Sequence, residues 1–166
     1  ELELSSQDNY LTKLKASINR LKNEYGLKCI LIDCPPTLGL LSMNSLCAAD
    51  HLLVTLQSEY LALEGLGQII QVIEQLKSAG ANPGLNLGGI VMTMYDNRTR
   101  LSYEVWQEVS NHYPEKVFRT AIPRTIRLSE APSFGKTIFE YDPRSIGARA
   151  YLAFTKEVVN RFIAVS

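Results

Sequence analysis

Cys29-Ile30-Leu31-Ile32-Asp33-Cys34-Pro35-Pro36 is the stretch on which the fold turns. Four apolar residues in a row, without alternation, suit a strand buried on both faces, as in a parallel sheet. The two prolines cannot extend a ladder, so the strand stops and presents Asp33 just beyond its carboxyl end. In open α/β sheets that is where ligands bind. A carboxylate fixed there can hold a magnesium ion, often through water, beside nucleotide phosphates. An aspartate that merely closes a strand into a proline turn is the plain structural alternative.

The segments on either side repeat the same grammar. Upstream, Leu11, Leu14, Ile18, Leu21 and Tyr25 recur at steps of three and four, which predicts one helical stripe stopped by Gly26. Downstream come a small-residue helix from about Leu38 to Ala49, a strand Leu52 to Leu56, and a helix with Leu63, Leu66, Ile70 and Ile73 on one face. A strand Gly89 to Thr93, a helix Leu101 to His112, a strand Lys116 to Ile122, an irregular Pro/Gly-punctuated stretch and a helix Ile146 to Ile163 complete the chain. Strands alternating with helices through short loops predict an α/β fold, a mostly parallel sheet flanked by helices, in a single domain over residues 1–166. The residues after each apolar run are then the candidates for chemistry: Asp33 to Pro36, Gln57 to Glu59, Met94 to Asp96 and Pro123 to Thr125.

Composition narrows the class. With 46% hydrophobic and 20% charged residues, the 166-residue chain can bury one sizeable core. No apolar run approaches the roughly 18 residues of a membrane span, and Glu1 to Asp8 is acidic and polar, so a soluble, unexported protein is expected. Cys29, Cys34 and Cys47 lack a C-x-x-C pair or a histidine neighbour, and read as reduced core thiols of a cytosolic protein. Basic and acidic residues balance at 17 each, but residues 1–95 hold 6 basic and 9 acidic side chains whereas 96–166 hold 11 and 8. An anionic partner would meet the second half.

Four segments taken together are more specific. They are Ile30-Leu31-Ile32-Asp33-Cys34-Pro35-Pro36-Thr37-Leu38-Gly39, Leu56-Gln57-Ser58-Glu59-Tyr60-Leu61-Ala62-Leu63-Glu64-Gly65, Met94-Tyr95-Asp96-Asn97-Arg98-Thr99, and the run Ile122-Pro123-Arg124-Thr125-Ile126-Arg127-Leu128-Ser129-Glu130-Ala131-Pro132-Ser133-Phe134-Gly135-Lys136. With Tyr141-Asp142-Pro143-Arg144-Ser145-Ile146-Gly147-Ala148, they resemble ParA/Soj-type partitioning ATPases in order and spacing from about Leu27 onward.

That resemblance implies a P-loop NTPase-like fold of the deviant-Walker type, an ATPase that dimerises on ATP, binds DNA without sequence preference and is stimulated by a ParB-type centromere-binding partner. It implies ATP or ADP with Mg2+ in the intact parent and neither on this chain alone, a homodimer, and a cytoplasmic, nucleoid-associated protein. Asp33 matches the Walker B aspartate, catalytic and metal-holding. Pro123 and Thr125 match positions flanking the adenine, Thr125 standing where many relatives have Asn. Arg98 and Arg127 match arginines used against DNA. Read from charge alone, these two are compatible with phosphate contact, but solvated surface is the plainer reading. The end of the chain, Asn160 to Ser166, carries a single arginine and no sustained basic face, unlike the membrane-binding MinD type, so no membrane partner is expected.

One motif is missing. No G-x-x-x-x-G-K-[ST] occurs, and Gly135-Lys136-Thr137, the nearest imitation, lacks the earlier glycine and a preceding apolar strand. Phosphoryl transfer rests on a backbone nest and lysine around the phosphates, so the 166 residues alone are expected not to hydrolyse ATP. The chain reads as the carboxy-terminal part of such a domain, without its strand–P-loop–helix unit. A catalytically dead interaction or DNA-binding module is the alternative.

Overall fold

The protein is seen here as a computed structural model that describes residues 10–164. Its packing forms two compact units. One takes in the described residues up to Leu52 together with Ile69–Leu87, the other Leu53–Gln68 together with Gly88 onward.

In the first unit, a short 3-10 turn (Tyr10–Thr12) leads into α1 (Lys13–Tyr25). Gly26 closes α1 in the left-handed region at φ +61°, donating its N–H to Lys22, a geometry that favours a residue without Cβ. Leu11, Leu14 and Ile18 of the expected stripe are partly buried, whereas Leu21 and Tyr25 are exposed. The small residues of α2 (Leu40–Ala48) let Asn44 reach the start of α1, where its amide donates to the Tyr10 carbonyl at 2.6 Å and accepts from Leu14 N at 3.3 Å. Buried Asn82 donates to the carbonyls of Leu46 and Ala49, both at 2.8 Å, which satisfies acceptors that a helix end otherwise leaves open. Leu46, Cys47, Ile73, Leu76 and Leu85 form the core of this unit.

Two expectations are corrected here. Ile30-Leu31-Ile32 forms no strand, and Leu31 is 81% exposed. A strand exists only when a neighbour takes its backbone groups, and no described segment pairs with this one. Of the three cysteines, only Cys47 is in a core, where burial raises its thiol pKa; Cys29 and Cys34 are exposed because the unpaired stretch that carries them is exposed.

Strands β1 (His51–Gln57) and β2 (Asn86–Thr93), joined by α3 (Tyr60–Ser78), are neighbours in a parallel sheet, as a helical crossover requires. In the second unit, residues 116–123 run beside β2 with parallel bridges at Ile90–Val117 and Tyr95–Pro123. The expected strand there is interrupted. The N–H groups of Arg119 and Thr120 turn instead to the Glu157 carboxylate, each at 2.9 Å. Then follow α4 (Arg100–His112, which precedes this segment in the chain), α5 (Ile126–Glu130), a 3-10 turn (Ala131–Phe134), α6 (Ile138–Tyr141) and α7 (Ile146–Phe162). Val91, Phe118 and Ile122 pack against Ala150, Phe154, Val158 and Phe162 of α7, with the Phe118 and Phe154 rings edge-on at 4.9 Å. Arg161, the single arginine near the chain's end, turns inward. It lies 4.0 Å over the Phe118 ring and donates to the carbonyls of Gly88 and Lys116 at 3.1 Å.

Candidate functional site

Beyond the carboxyl end of β2 lies an open cleft of about 390 Å3, lined by Asp96, Arg98, Arg124, Thr125, Ile126 and Ser129. It is built by two loops held together through the backbone. Tyr95 donates its N–H to Ile122 at 3.0 Å, and Arg124 returns its own to Tyr95 at 3.1 Å. Met94, just before, adopts φ +50°, a strained value for a residue with a side chain. That kink turns the chain out of β2 and into the loop.

A chain of hydroxyls fixes the loop from below. Buried Ser102 donates to the hydroxyl of buried Ser58 at 3.0 Å, and Ser58 donates to the Met94 carbonyl at 3.4 Å. Thr99 caps α4 by accepting the Ser102 N–H at 3.3 Å, and its hydroxyl donates to the Asp96 carbonyl at 3.0 Å. Tyr95 packs edge-on against Trp106 of α4 at 5.9 Å.

Within this frame Asp96 and Arg98 form a forked pair. Asp96 Oδ1 accepts the Arg98 backbone N–H at 3.0 Å and Nε–H at 2.9 Å, while Oδ2 accepts from Nη2 at 2.7 Å. The side-chain hydrogen bond from Arg98, then the backbone one, lowers the Asp96 carboxyl pKa to about 2. The Arg98 side chain nonetheless stays 84% exposed, because the fork holds only one edge of the guanidinium.

The other sequence candidates fall as follows. Thr125 lines the same cleft as Arg98, but its hydroxyl is engaged as the cap of α5, accepting Leu128 N–H at 3.2 Å. Pro123 is partly buried and makes the bridge with Tyr95 at the cleft's edge. Arg127 lies outside the lining. It reaches Glu130 at 3.2 Å and Asp142 at 3.5 Å, with its guanidinium 6.0 Å from the centre of the Tyr141 ring. Asp33 is exposed and belongs to the first unit. Among the described residues no three His, Cys, Asp or Glu side chains gather in a metal-holding group. A single carboxylate such as Asp33 suits Mg2+, which takes one or two protein carboxylates and completes its shell with phosphates and water. Asp96 and Arg124 stand among the candidates for chemistry read from the sequence, but no role was given to either. Their signal was position after an apolar strand, visible in Met94-Tyr95-Asp96 and Pro123-Arg124-Thr125, but the forked pairing was not.

A family model described as an AAA domain matches residues 1–87. The chain is 46% identical over 161 residues to the chromosome partitioning protein ParA of Myxococcus xanthus, covering 97% of this chain and 56% of that one. To the chromosome-partitioning ATPase Soj of Treponema pallidum it is 44% identical over 160 residues, covering 96% and 62%. Among solved structures, the cobyrinic acid a,c-diamide synthase of Mycobacterium smegmatis with bound ATP analogue and magnesium superposes with a TM-score of 0.77 at 31% identity, covering 100% of this chain and 59% of that one. The cell division ATPase MinD of Pyrococcus furiosus does so at 0.70 and 25%, covering 90% and 58%. The chain belongs to the AAA domain family, and its relatives there are ParA/Soj partitioning ATPases. It spans about six tenths of the length of these relatives.

Proposed function

We propose that the chain is part of a ParA-type ATPase that segregates plasmid or chromosomal DNA, through ATP-dependent dimerisation, sequence-independent DNA binding and hydrolysis stimulated by a ParB-type partner. The observation that carries this reading is the 44–46% identity with ParA and Soj proteins over nearly the whole chain. In this reading all 166 residues belong to one ATPase domain of a cytoplasmic, nucleoid-associated homodimer, with no membrane partner. Among the described residues no helix is long and apolar enough to cross a membrane.

Each residue then has a task. Asp33 holds Mg2+ in company with nucleotide phosphates, and the bound ion neutralises charge that develops on the transferred phosphoryl group. Pro123 and Thr125 face the adenine of ATP or ADP; since the Thr125 hydroxyl caps α5, the contact falls to its methyl and backbone. Arg98 and Arg127 meet DNA phosphates, and their exposure and their place in the more basic half of the chain support it. The 166 residues alone, which contain no G-x-x-x-x-G-K-[ST], turn over no ATP.

Binding of unrelated duplexes by the full-length protein with ATP, measured across a salt series, tests the reading. Replacing Arg98 and Arg127 with Glu weakens binding to every duplex and flattens the slope of log affinity against log salt, while hydrolysis without DNA stays near wild type. Equal affinity and slope in the double variant would return both arginines to ordinary surface.

A further inference from the structure

The two arginines assigned to DNA are both held by carboxylates of their own chain, and at Arg98 the grip is the tighter. Both oxygens of Asp96 are spent on it, at 2.9 and 2.7 Å, in the side-by-side geometry that an arginine otherwise offers a phosphate. A second guanidinium, Arg124, lines the same cleft with no ion-pair partner closer than 4 Å among the described residues, and its positive charge acts on Asp96 as well. The cleft therefore holds two cations around one internal anion, open to solvent.

We propose that Asp96 is an internal counter-anion occupying a phosphate subsite formed by Arg98 and Arg124, and that a nucleic-acid phosphate binds there by taking the place of the Asp96 carboxylate. The inference rests on the reading of Arg98 as a DNA contact. It adds Arg124 as the second cation and makes Asp96 a positioning residue that weakens the contact.

Magnitudes favour exchange. Arg98 is 84% exposed while Asp96 is 23% exposed, and even a forked pair with one partner in solvent is screened by water, so the carboxylate can be displaced. A phosphate on a duplex brings counterion release, which an internal carboxylate does not. At low salt the duplex displaces Asp96; at high salt Asp96 closes back on Arg98. The Asp96–Arg98 loop stays in place during the exchange because Thr99, Ser102 and Ser58 hold it independently of the carboxylate. Contacts made in this way are weak and quickly reversed.

The test uses the full-length protein with ATP and labelled duplexes of unrelated sequence, titrated at several KCl concentrations. Asp96→Asn keeps an oxygen for the Arg98 backbone N–H but removes the charge. It is expected to tighten binding about two- to fivefold and to steepen the salt slope by up to about 0.9. Arg124→Gln is expected to weaken binding and flatten the slope by a similar amount. In an Arg98→Gln background, the gain from Asp96→Asn should vanish. Asp96→Ser, whose uncharged hydroxyl can also accept the backbone N–H two residues on, should behave as Asp96→Asn, so a folding defect peculiar to one variant does not decide the matter. Unchanged or weaker binding in both Asp96 variants overturns the proposal, as does a gain that persists without Arg98, which would mark a general charge effect. No effect of Arg124→Gln removes that residue from the subsite. If Arg98→Gln alone leaves binding unchanged, the DNA reading of Arg98 itself falls, an outcome distinct from the failure of Asp96 with Arg98 still required.

Discussion

The Glu157 carboxylate on α7 accepts both the backbone N–H and the hydroxyl of Thr120, in the gap where the segment beside β2 leaves its ladder. With the Arg119 N–H also donated to it, one side chain supplies the acceptors that a neighbouring strand would have supplied. The segment thus continues to Pro123 and Arg124 at the cleft without a continuous ladder.

Loss of this acceptor has a defined cost and pH dependence. Glu157→Ala should destabilise the fold by about 2 to 3 kcal/mol, the worth of hydrogen bonds to a charged group, read as a lower denaturant midpoint at unchanged slope. Burial alone would raise the Glu157 carboxyl, but the Thr120 hydroxyl, the two N–H groups and the Arg161 charge outweigh it, and the pKa is lowered from its ordinary 4.5. A depressed carboxyl pKa stabilises above the unfolded value, and the benefit fades as pH falls through the folded one. The gap between wild type and Glu157→Ala should therefore be full at neutral pH and shrink progressively below about 4.5; a gap that is constant down to pH 2 would contradict this.

Gly147, at the start of α7, sits against Leu128 of α5. A Cβ there would come within 2.7 Å of Leu128 Cγ, well inside contact distance. Two effects oppose each other in Gly147→Ala. The helix gains up to about 1 kcal/mol from propensity, while overpacking costs about 1 to 3 kcal/mol. Overpacking wins because Cγ is the branch point of Leu128 and cannot swing aside by rotating its end, so a net loss of about 1 kcal/mol is expected. A raised melting temperature would show that Leu128 repacks freely.

For Asp33 stability and activity should separate. The side chain is exposed, so Asp33→Ala should shift stability by less than about 0.5 kcal/mol. In the full-length protein with ATP the same change should abolish magnesium-dependent turnover, because the metal-side carboxylate is gone. Unchanged turnover, measured as phosphate release, would take Asp33 out of the site.

The exposed apolar side chains Leu21, Tyr25, Leu31, Leu38 and Leu41 set the behaviour of the 166 residues in isolation. Unpaired apolar backbone seeks a partner, so sedimentation should show association that grows with concentration. Adding a strand–P-loop–helix segment from a ParA relative should suppress it. A monomer at all concentrations, with cooperative unfolding, would mean that this face is stable in water.

Much of this fold was legible in the residues alone. Helical spacing, small-residue runs and short apolar runs placed α1, α2, β1, β2, α4 and α7 within a few residues of their observed bounds and picked out four residues of α3, because helix and strand patterning is a local property of the chain. Local patterns also marked Met94-Tyr95-Asp96 and Pro123-Arg124-Thr125 as strand ends. What they could not decide was pairing. Whether Ile30-Leu31-Ile32 becomes a strand depends on a neighbour rather than on its own apolarity, and whether residues 116–123 keep a ladder depends on Glu157, 37 positions beyond Thr120. The engagement of Arg98 by Asp96 and of Arg127 by Glu130 and Asp142 likewise required three-dimensional placement. Sequence determined which groups are available; only tertiary structure decided which of them meet, since hydrogen bonds and ion pairs form over a few ångströms whatever the separation along the chain.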